Sequence, residues 1–127
     1  MGSRLYLTLA AIVAIIYGLG FLLIPATVVA LYGGLVEPHV LLNARFFGAA
    51  LLGLGVVEWL AKDFRDRDAV RGVLIGAAIG DALVGLVNVS GSIQGLLNAL
   101  SWSSTILVIL LLAGALYCLA TNGRRAA

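Results

Sequence analysis

The chain is poor in the residues from which most soluble sites are built. A single cysteine, Cys118, excludes a disulfide framework, a CxxC redox pair and any multi-cysteine metal site. The single histidine, His39, stands in a loop beside Pro38 with only Glu37 close to it. No metal is expected from so few ligands, and neither a histidine pair for heme nor a Ser-His-Asp arrangement can be assembled. Charged residues are 11% of the 127-residue chain, against about 25% in an ordinary soluble domain. A net charge of +2 is too small to point to nucleic acid. With no phosphate loop and no nucleophile–base set, no catalytic residue is assigned, and a non-enzymatic role fits better than an enzymatic one.

What the chain has in quantity is hydrocarbon. Apolar residues are 62% of the total, and the mean hydropathy is +1.12. A bilayer core takes about 20 apolar residues per helix. Four stretches meet that need, at about 5–24, 40–60, 70–89 and 100–120. They leave no room for a separate soluble domain, so the expected fold is all-α: one integral membrane domain over 1–127, a four-helix up-and-down bundle. Arg4, Lys62, Arg65, Arg67, Arg124 and Arg125 fall outside the spans and Arg71 at the very start of the third, all on one side, while the loops 26–39 and 90–95 contain no Lys or Arg. The positive-inside rule then places both termini in the cytoplasm (N-in/C-in), in a bacterial inner membrane. Tyr6, Trp59 and Tyr117 near the inner ends, and Tyr32 and Trp102 near the outer ends, fit interfacial belts. The first span is longer than the usual apolar core of a cleaved leader, so it reads as retained. In the outer loop, Val28, Val29, Leu31 and Tyr32 form a candidate interfacial helix ended by Gly33-Gly34.

Three ionisable residues lie within the spans. A charge at bilayer depth costs at least about 2.5–3.5 kcal/mol, so each needs a partner or a purpose. Glu58 stands four residues before Lys62, the favourable spacing for a helical pair near water. Arg45 lies ~7 Å, and Asp81 ~13 Å, below the outer ends of spans two and three at 1.5 Å per residue. A short loop makes those two spans antiparallel neighbours, and the depths lie within an arginine's reach, so a buried Arg45–Asp81 pair is expected. Gly85 and Asn88 share the Asp81 face. Gly72, Gly76 and Gly80 make two small-xxx-small steps suited to helix packing. Ser101 and Ser104, with Ser103 and Thr105, stand at the outer start of span four. Two readings stay open. Arg45, Asp81, Asn88, Ser101 and Ser104 form either a structural clasp that fixes register, or a ligand or proton site in the outer half of the bundle.

Two stretches, "FLLIPATVVALYG" and "NARFFGAALLGLGVVEWLAKD", resemble the end of helix one and the arginine-and-glycine second helix of small bacterial four-span proteins, the DoxX-like group and related domains. The resemblance covers about the first half of the chain. It implies a four-helix bundle and an association with redox or quinone-linked membrane complexes, and it carries no catalytic motif. The functional expectation is a non-catalytic accessory subunit, in contact with membrane lipids and with other transmembrane subunits or copies of itself, and holding a lipid or quinone-like molecule. The alternatives are a small oligomeric transporter or proton conductor using Asp81, and a lipid-modifying enzyme using Asp81 with the serines.

Overall fold

The computed structural model describes the backbone of residues 2–126 and the side chains of residues 2–121; the side chains of Arg124 and Arg125 lie outside the described residues. Five helices follow in order, with no strand among the described residues: α1 (Gly2–Leu23), α2 (Pro25–Leu31), α3 (Pro38–Ala61), α4 (Arg67–Ile93) and α5 (Ser101–Ala126). All but α2 are long and apolar enough to cross a membrane.

Local chemistry sets the boundaries. Pro25 and Pro38 each open a helix in its first turn, where a missing N–H costs nothing. The short α2 ends on Gly33, at φ 78°, a left-handed conformation that favours glycine. Asp66 caps α4 by accepting a hydrogen bond from the Asp68 N–H at 2.9 Å. Across the loop before it, Asp63 accepts from Lys62 Nζ at 2.6 Å and meets Arg4 Nη1 at 2.8 Å, which ties the start of α1 to the α3–α4 turn. The Lys62 hydrogen bond, helped by the Arg4 charge, holds the Asp63 carboxyl below its usual range.

The helices associate as two tight pairs, α1 with α3 and α4 with α5, while α3 and α4 touch only sparsely. Glycine explains the first pair. A Cβ added at Gly48 would lie 2.6 Å from the Leu22 backbone nitrogen, and one at Gly18 would lie 2.7 Å from that of Leu52. Gly55 is pressed in the same way against Ala14 and Ile15. The α1–α3 backbones therefore approach as closely as membrane helices do on small residues.

Two expectations are corrected here. Gly72, Gly76 and Gly80 pack against no other helix of this chain, because a Cβ at any of them would meet nothing within 4 Å. The packed face of α4 is instead Val70, Leu74, Ala77 and Ala78. Second, no Arg45–Asp81 pair forms: Arg45 is exposed, and the ion pairs seen among the described residues involve Arg4, Lys62 and Asp63. The physical reason is that α3 turns Ala44 and Gly48 onto α1, which leaves Arg45 pointing away from the bundle rather than toward α4.

At the end that carries the N-terminus the two pairs meet in a compact core, including Leu7, Ala10, Ala61, Leu74, Ala115 and Cys118. Toward the α2 end the pairs diverge and a space opens between them.

Candidate functional site: a slot between two helix pairs

The space is a partly open cavity of about 320 Å³. Its walls come from α1 (Val13, Tyr17, Phe21), α3 (Phe47, Leu51, Leu54, Glu58), α4 (Asp81, Val84, Asn88) and α5 (Ser104, Leu107, Leu111), with Val29, Tyr32 and Gly34 at the α2 end. From Val40 to Glu58 the slot follows α3 for ~27 Å at 1.5 Å per residue. Phe21 and Phe47 meet edge to face there, with ring centroids 5.1 Å apart. The lining is overwhelmingly apolar, with a few polar groups at the two ends.

Hydroxyls hold the α2 end. The phenols of Tyr17 and Tyr32 are 3.3 Å apart, and Tyr32 Oη lies 2.6 Å from Ser104 Oγ. Burial pushes the Tyr32 phenol above its usual range; the Ser104 hydrogen bond opposes this and Tyr17 adds to it. Asn98 fastens this end from outside: its Nδ2 donates to the Leu31 carbonyl at 2.7 Å and its backbone N–H to that of Tyr32 at 2.9 Å. The α4–α5 turn thus clamps the end of α2 over the bundle.

Asn88 and Ser101 do come together, though in a bond set that joins α4 to α5. Asn88 Nδ2 donates to the Ser101 carbonyl at 2.9 Å and to Thr105 Oγ1 at 2.6 Å. Ser101 Oγ donates to the Asn98 carbonyl at 2.7 Å and lies 2.6 Å from Ser92 Oγ. With Asn88 Nδ2 and the Ser101 hydroxyl used in this way, these two residues serve to hold the helix pair. Ser104, one turn from Ser101, faces the slot with the two tyrosines.

The opposite end is acidic. Glu58 is 3% exposed, and its Oε2 has no hydrogen-bond partner. The expected Glu58–Lys62 pair does not form: Lys62 is bonded to Asp63 and lies 4.4 Å from the Trp59 ring centroid. Asp81 faces the same slot, within electrostatic range of Glu58. It lies beside the phenol of Tyr6, whose buried hydroxyl makes no hydrogen bond of good geometry. A second, shallower groove of about 260 Å³ runs between α4 and α5, and Asp81 borders that one too.

Of the residues expected from sequence to form one site, Asp81, Asn88 and Ser104 line the slot, Ser101 stands just behind it, and Arg45 is elsewhere. Glu58, Tyr17 and Tyr32 were not expected in it. Glu58 had a partial signal: Gly55 and Ala61 stand three residues to either side, so it shares a face with small residues. Such a face need not turn inward, as Gly72, Gly76 and Gly80 show.

No group of three or more metal-ligating side chains occurs among the described residues. The chain matches no family model, no curated protein and no solved structure.

Proposed function

We propose that this chain is a polytopic membrane protein, with both termini on the cytoplasmic side, that holds an elongated apolar small molecule between its two helix pairs. The observation that carries this reading is the slot itself. A cavity of about 320 Å³, apolar along its length and polar at its ends, has the size and character of a small-molecule site. Leu5, Ile16, Leu86, Ile106 and Leu110 are among many large apolar side chains turned outward, which suits a hydrocarbon surrounding. The basic residues at the α3–α4 turn favour the cytoplasmic placement of that end.

The interior is an apolar slot rather than a continuous polar path, which supports holding a ligand over conducting ions. Loops this short leave little for soluble chemistry. The role that fits is therefore an accessory subunit that keeps a lipid-like or quinone-like molecule within the membrane, as the resemblance to DoxX-like proteins also suggests. The test is a density map of protein purified without harsh delipidation. Elongated density between Val13, Leu51 and Leu107 is expected; a slot closed by collapsed side chains would contradict the reading.

A further inference from the structure

The slot carries carboxyl groups at one end only, and no basic group among the described residues faces them. Glu58 and Asp81 both line it. No basic side chain among the described residues pairs with either of them. Lys62, the base nearest Glu58 along the chain, is occupied by Asp63 and Trp59. Arg45 is exposed on another face. Glu58 Oε2 is a buried acceptor with no donor, on the wall of a cavity. Buried polar atoms are nearly always satisfied, and an unsatisfied one on a cavity wall points to a polar partner within the cavity. An ionised carboxylate can only accept, so the matching group must donate or carry positive charge.

The rest of the slot asks for something different. Between the acids and the tyrosines, the walls are Val13, Leu51, Leu54, Val84 and Leu107. At the far end Tyr17, Tyr32 and Ser104 already bond to one another, leaving little unmet polar demand.

Building on the proposed reading of the slot as a ligand site, we propose that its occupant is an amphiphilic cation, an amine or quaternary ammonium on an elongated apolar body, with its charged head at Glu58 and Asp81. The apolar body lies along α3 and α5 toward the tyrosines. A neutral quinone-like molecule would leave both acids without a counter-charge.

The experiment is equilibrium dialysis of the full chain in dodecyl maltoside against two probes of equal chain length, dodecyltrimethylammonium and dodecanol, with uptake by empty micelles subtracted. Wild-type protein should bind the cation saturably at one site, about 10-fold or more tighter than the alcohol, a difference of about 1.4 kcal/mol. Glu58→Gln with Asp81→Asn should bring the cation down to the level of the alcohol, whose hydroxyl the amide oxygens can still accept and whose binding is therefore retained. Retained alcohol binding also reports that the variant is folded. If that variant loses both probes, Glu58→Gln alone decides, and an undiminished cation preference there overturns the proposal. Equal wild-type affinity for cation and alcohol would overturn it too while leaving the slot a ligand site. Saturable binding of neither probe would overturn the ligand-site reading itself.

Discussion

Arg45, Glu58 and Asp81 show how far a residue's position along a helix falls short of its surroundings. Depth in the span says what a charge costs; the direction it faces decides what it meets. Arg45 and Asp81 have compatible depths, yet one points out of the bundle and the other into the slot. An arginine about two turns from the start of its helix can carry its guanidinium along an apolar stem to the interface, which removes the need for a buried partner. Glu58 presents the converse: four residues from a lysine, it turns inward while the lysine stays with Asp63. A double-mutant cycle separates these accounts. Arg45→Met and Asp81→Leu should act independently on thermal unfolding in detergent, with a coupling below about 0.5 kcal/mol. A coupling of several kcal/mol would mean that the two charges pair after all.

At the scale of elements, the helices were legible and their partners were not. Long apolar runs bounded by Pro25, Pro38 and a charged turn leave few alternatives to four long helices, and Gly33-Gly34 marks the end of α2. Which faces meet depends on close approach, and glycine alone is an ambiguous signal. Gly72, Gly76 and Gly80 form the more regular motif and face outward; Ala10, Ala14 and Gly18 on α1 carry the same spacing and are buried. The useful sign was complementarity, since the Ala14–Gly18 seam on α1 faces the Gly48–Gly55 seam on α3. Gly48→Ala should therefore destabilise the protein by about 1–3 kcal/mol, as overpacking does. Gly76→Ala should be neutral or stabilising by up to about 1 kcal/mol, through helix propensity. Thermal unfolding of the two variants in one detergent checks both, and a reversed order would refute the seam.

At the scale of the whole molecule, two close-packed pairs that diverge from a shared core leave an interior space, whereas four evenly packed helices would fill it. The site follows from this uneven packing, which explains why its residues come from four helices and were only partly visible along the chain. Asp81, Asn88 and Ser104 stood out as polar residues in apolar runs; the slot between them depends on how the pairs diverge. The proposed orientation rests on the one-sided distribution of Lys and Arg. In cells, Arg65→Cys should be shielded from an impermeant external thiol reagent, while Leu35→Cys should react. Labelling of Arg65→Cys from outside would reverse the topology.

The central claim, that the interior holds an elongated apolar molecule, is tested most directly by photo-crosslinking. The full chain in a lipid bilayer would be exposed to an alkyl probe carrying a diazirine at mid-chain, and adducts would be mapped by mass spectrometry. Saturable adducts on Val13, Leu51, Val84 and Leu107, competed by the unlabelled alkyl compound, are the predicted result. Adducts confined to outward-facing residues such as Leu86 and Ile106, rising without saturation, would contradict it.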